Sequence, residues 1–130
     1  MNISLEKNLD YLAAKHAQQL INDTSADAKE IEKIITTTLG VLQENGVYAC
    51  FLYLLASEKK KGNEVIAKML ALLQELQFPA PPEGAANNEA VLQYVAEKVA
   101  ADLHCLLLAK EALEQMLIYA RYGAKAAGKQ

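Results

Sequence analysis

The side chains best suited to chemistry in this chain are few. Cys105 directly follows His104, Cys50 lies in an apolar run, His16 interrupts an apolar stripe, and Lys59, Lys60 and Lys61 stand together. A cysteine nucleophile needs a base within hydrogen-bond reach, but neighbours on a helix point about 100° apart, so His104 is poorly aimed at Cys105. Dinuclear helical bundles present Glu-x-x-His pairs on facing helices, and neither histidine has a carboxylate three or four residues away. The two cysteines carry no paired spacing and read as small buried hydrophobes. Walker-type loops, dinucleotide fingerprints and HExxH helices are lacking as well. These patterns predict a protein that is not an enzyme and that takes no metal or other cofactor.

The lysine run points to a different chemistry. Three successive cations at a helix end suit phosphate, and a nucleic-acid backbone is the polyanion that such a cluster can follow without reading bases. Lys7 and Lys15 of the first helix, or Arg121 and Lys125 of the last, would extend the patch if the fold brings them close. Tyr48, Tyr53, Tyr94, Tyr119 and Tyr122 could stack on bases, but tyrosine at helical spacing reads first as a core residue with its hydroxyl at the edge.

Composition bounds what must position these groups. The chain has 130 residues, 52% of them hydrophobic, with a net charge of −3. Its Leu and Ala content favours helices, and the length fits one domain that needs no disulfide or metal to fold. A single arginine, Arg121, accompanies the lysines, so no global basic signal exists and any polyanion surface must be local. The amino-terminal residues are charged from Glu6 onward, unlike a signal peptide. The longest clean apolar run, Val47 to Ala56, would cross about half a bilayer. The expectation is a cytoplasmic chain without membrane contact.

Periodicity predicts an all-α fold, a single compact bundle of five or six helices over residues 1–130. A first stripe holds Leu5, Leu9, Leu12, Ala13, His16 and Leu20 and stops near Asn22. Asp27 with Glu30 resembles a capping box opening a second helix that carries Ile31, Ile34, Ile35, Leu39 and Leu42. Asn45-Gly46 closes it. Val47 to Ala56 then reads as a buried central helix, apolar all round, prolonged into Ser57 and Glu58, with Lys59 to Lys61 favourably in its last turn and Gly62-Asn63 as the break. A fourth helix spans about Glu64 to Leu76. The prolines of PAPPEGAANN make about 78–88 a surface loop. Two helical pieces follow, meeting near Ala101-Asp102, where Asp102 can cap. The last carries Leu103, Leu106, Ala109, Leu113, Met116, Leu117 and Ala120 on its inner face, and the tail, about 124–130, frays after Gly123.

Two segments, Thr38 to Lys61 and Asp102 to Ala126, resemble the small-subunit family of type III-B CRISPR effector complexes, the Cmr module. The shared order is an opening helix with an Ala-rich pattern, here LAAKHA; a helix turning through Asn45-Gly46 into an apolar helix; and a final helix with Glu111-Ala112-Leu113 and an aromatic-basic end, Tyr119-Ala120-Arg121-Tyr122. The resemblance implies a non-catalytic helical subunit of an RNA-guided, RNA-targeting antiviral complex, several copies of which stack in an inner filament. Its partners would be the repeating backbone subunit, the large subunit, further copies of itself, guide RNA and target RNA. The expected backbone contacts are Lys59, Lys60, Lys61, Arg121 and Lys125, with Lys7 and Lys15. The competing expectation is a helical protein-interaction module that binds no RNA.

Overall fold

The computed structural model describes residues 5–57, 59–82 and 88–129, with side chains from Leu9 onward except that of Lys59. Six α-helices make up the described bundle: α1 Leu5–Asp23, α2 Ala28–Asn45, α3 Val47–Ala56, α4 Lys59–Glu75, α5 Asn88–Tyr94 and α6 Leu103–Gly128. A π-helical turn, Val95–Val99, continues α5. The fold is all-α, without strands among the described residues.

Each boundary has a local cause. Asp27 caps α2 by accepting the Glu30 N–H at 2.8 Å, while the Glu30 carboxylate turns away to pair with Lys61. Gly46, at φ 98°, gives its N–H to the Leu42 carbonyl and redirects the chain into α3. Asp102 caps α6 by accepting from the Cys105 N–H, so the predicted break there is present. At the end of α4, Gln77 adopts φ 77°. Its N–H bonds Gln74 and the Phe78 N–H bonds Leu73, a Schellman closure made without the usual glycine. The described part of the loop is then tied down by Phe78, which is buried, and by the Tyr94 hydroxyl, which donates to the Pro79 carbonyl at 2.6 Å.

The central helix is α6. It packs most extensively against α1 and α2 and buries Ala109, Ala112, Leu113, Met116, Leu117, Ala120 and Ala124 completely. The pairing of Gln43 with Glu114 and of Glu32 with Lys125 sets α2 antiparallel to α6. Thr24 on Glu64, Asp23 on Lys68 and His16 on Glu75 set α4 antiparallel to α1. Leu9, Leu12, Ala13, His16, Ala17 and Leu20 supply the buried stripe of α1.

Four expectations change. First, α3 is a flank helix and not the buried centre: Val47, Cys50, Phe51 and Leu54 are buried, whereas Tyr48 and Leu52 are 41% and 47% exposed. Ten residues between α2 and α4 cannot be wrapped on all sides when α6 holds the axis. Second, the lysine run opens α4 instead of ending α3. The chain leaves α3 at Ser57, extended at ψ −159°, whose hydroxyl donates to the Leu54 carbonyl. Gly62 therefore lies inside a helix, where its missing Cβ lets α4 cross the end of α3; a Cβ there would stand 2.4 Å from the Leu54 carbonyl oxygen. Third, Leu103 lies outside the inner face of α6, at 69% exposure, and Leu106 is only partly buried. Fourth, α6 runs through Gly123 to Gly128 because Ala124 still packs in the core, with Gly123 against the Ile21 side chain.

The two helical glycines of α2 and α4 make opposite predictions. Gly62→Ala forces a methyl into the α3 carbonyl and should cost about 2 kcal/mol or more, in the range of overpacked sites. Gly40→Ala meets nothing within 4 Å and should stabilise by about 0.5–1 kcal/mol through helix propensity. Urea unfolding of both variants checks the pair, and equal signs would remove the close-approach account of Gly62.

Candidate functional site

The helix ends gather cations at one end of the bundle. Lys61, in the first turn of α4, pairs with Glu30, and Lys125, near the end of α6, lies 3.8 Å from Glu32. Both therefore converge on the first two turns of α2, although they are far apart in sequence. Lys29 and Lys33 stand exposed on the outer face of those turns, and Lys129 follows Lys125 by one turn. Among the described residues no carboxylate pairs with Lys29, Lys33 or Lys129. A depression of ≈ 290 Å³ lies between Lys29 and Glu32 on α2 and Lys125 and Lys129 on α6. A neighbouring one of ≈ 400 Å³ is lined by Lys29, Glu32, Lys33, Thr36 and Thr37.

Of the residues singled out from the sequence, the fold unites Lys60, Lys61 and Lys125 at this end. Arg121 sits one turn before Lys125 on the same helix, with its Nε buried and without a hydrogen-bond partner. Lys15 does not join them. It pairs with Glu75 at 3.0 Å, at the far end of α4, about 20 Å along the helix from Lys61 at 1.5 Å per residue. Lys7 and Lys59 lie outside the described side chains. Sequence reasoning passed over Lys29, Lys33 and Lys129, and the signal was present: Lys29 and Lys33 are four apart opposite the buried Ile31 and Ile35, and Arg121, Lys125 and Lys129 repeat at the same spacing.

Acidic neighbours temper the field. Burial acts to raise the Glu64 carboxyl, but donation from the Thr24 hydroxyl at 2.7 Å and from Ser25 outweighs it and holds the group below the usual glutamate range. That carboxylate fastens the α1–α2 turn to α4 beside Lys60.

The cysteine thiols are held in their protonated form. Burial pushes the Cys50 thiol up to about 12. Donation to the Asp102 carboxylate raises the Cys105 thiol too, so both remain protonated at neutral pH and neither is an activated nucleophile. His16, buried in the α1–α4 seam, holds Glu75 at 2.6 Å through Nε2, while its Nδ1 has no partner. Lys15 donates to the same Glu75 oxygen and, with His16, keeps that carboxyl low. Among the described residues no group of three or more His, Cys, Asp or Glu side chains is arranged to hold a metal, and no helix is long and apolar enough to cross a membrane. Comparison with protein-family models, curated proteins and solved structures finds no match to this chain.

The Glu64 clasp has a definite pH signature. Its folded-state carboxyl is more acidic than the unfolded one, so its contribution is complete above the unfolded value of about 4.3 and drains away as pH falls through the lower folded value. Glu64→Gln should lose about 1 kcal/mol at neutral pH, with the deficit closing below about pH 4. Urea unfolding of both proteins across that range checks it; a deficit independent of pH would assign the loss to packing.

Proposed function

We propose that this chain is the non-catalytic small subunit of a type III-B CRISPR RNA-guided, RNA-targeting complex, bracing the inner filament with its lysine-rich end against the target-RNA backbone. The observation that carries the reading is the convergence of Lys61 and Lys125 on α2 beside Lys29 and Lys33. These two lysines stand at the ends of the two segments that resemble the Cmr small subunit. Thr38 to Lys61 comprises the last part of α2, all of α3 and the start of α4, and Asp102 to Ala126 is almost all of α6. Both supply core as well as surface, since Leu39, Leu42, Phe51, Ala112 and Leu113 are buried.

Ion pairing divides the work among the cations. Lys61 and Lys125 already hold Glu30 and Glu32, so a phosphate must compete for them. The lysines that no carboxylate of the described residues pairs, Lys29, Lys33 and Lys129, release counterions at no such cost and should carry more of the salt dependence. Contacts of this kind fix register on the strand without selecting bases.

Affinity purification of the tagged chain from its own cells tests the assembly. Co-purifying effector subunits and guide RNAs support it, whereas protein partners without RNA leave a helical interaction module. Within the purified complex, Lys29→Gln with Lys33→Gln should flatten the slope of log K against log salt for single-stranded target by up to about 1.4, roughly 0.7 for each lost contact. Lys61→Gln with Lys125→Gln should flatten it less. An unchanged slope in both variants would make this end a solvated surface only.

A further inference from the structure

The first two turns of α6, Leu103 to Leu108, read LHCLLL, and none of these six residues is buried. The first buried residue of the helix is Ala109. The cause is register. Gln43 meets Glu114 at 2.8 Å, and α2 ends at Asn45 whereas α6 continues back to Leu103, so roughly 13 Å of α6 has no α2 beside it at 1.5 Å per residue. Cys105, Leu106 and Leu108 lean on the edge of the core. Leu103 and Leu107 do not; they stand 69% and 57% exposed, one turn apart on the outer side.

The rim of this apolar row is acidic. Asp102 precedes Leu103, and Glu111 follows Leu107 by one turn; both are exposed. Lys110 is the cation beside them on α6. Phosphate is repelled here. A second copy pairing through the same face would bring one acidic rim against another, since a two-fold contact uses the same patch on both copies. Cationic side chains are favoured.

We propose that the overhanging start of α6 is a docking site for a basic amphipathic helix of another protein. An apolar pair of that helix, spaced i, i+4, covers Leu103 and Leu107, and flanking Lys or Arg side chains face Asp102 and Glu111. The site lies at the opposite end of α6 from Lys125, roughly 30 Å away at helical rise, so it stands independently of the RNA reading.

The test uses the full chain and two fluorescein-labelled helical peptides of about 18 residues with one leucine face, flanked by lysines in one and glutamates in the other. Anisotropy should show saturable one-to-one binding of the lysine peptide and binding on the order of tenfold weaker or less for the glutamate peptide. Leu103→Gln with Leu107→Gln should weaken the lysine peptide on the order of tenfold. Circular dichroism should be unchanged, because both leucines lie outside the core. Glu111→Lys alters charge alone and should weaken it as well. Equal binding of both peptides, or wild-type affinity in the leucine variant, would overturn the proposal. So would a dimer in sedimentation that the leucine variant abolishes, which would give the row to a second copy.

Discussion

The structure depends on the small-residue face of α6. Ala109, Ala112, Ala120 and Ala124 are fully buried among Leu113, Met116 and Leu117. Two helices can approach one axis closely only where side chains at the contact are short, because helix separation is set by the residues between them. The first helix answers with its own Ala13 and Ala17, both buried. With α1 and α2 drawn against α6, the axis of the bundle is taken. The most apolar segment of the chain, α3, is left on the flank with Tyr48 and Leu52 facing outward. Mean hydropathy alone does not decide which helix is central; the capacity to be approached from two sides does.

Much of this was legible in the sequence. Periodicity located the buried stripes of α1 and α2, Asp27 and Asp102 announced the caps of α2 and α6, and Asn45-Gly46 announced the turn, because each of these signals acts within a few residues. Most of the failures concern contacts between distant residues. Gly62 carries the same local signal whether it breaks a helix or admits a neighbour, and only the Leu54 carbonyl at its Cβ position decides between them. Leu103 reads with the inner face of α6, yet it lies well off the arc of Ala109, Leu113, Met116 and Ala120 and stands exposed. Gly123 and the alanines after it look too weak to hold a helix, and Ala124 holds because it reaches the core. In the lysine-rich end the individual cations were visible, but which of them share a surface depends on the antiparallel pairing of α2 and α6.

The lysine run is a local conflict with a distant resolution. Cations at the start of a helix oppose its dipole, and α4 opens on three of them. Glu64, one turn further on from Lys60, and Glu30 across the groove offset part of that cost. A sequence optimised for stability alone would set acids there. Departures from local rules are concentrated where a surface serves something besides folding, and lysines held against their own helix dipole are well suited to give up a carboxylate for a phosphate.

The same register that gathers the lysines also produces the overhang. Because α2 is shorter than α6 and their far ends coincide near Ala28 and Gly128, all the excess length of α6 emerges at the other end, beyond Asn45. That excess carries leucines and an acidic rim, while the coincident ends carry lysines. Charge and apolar surface are thus separated along one helix by its full length. Attraction for polyanions at one end works against attraction for cations at the other, so a single molecule of either kind gains little by lying along the whole bundle. An assembly subunit that must hold two chemically different neighbours apart gains from that separation, and the rigid alanine-packed axis of α6 fixes the distance between them.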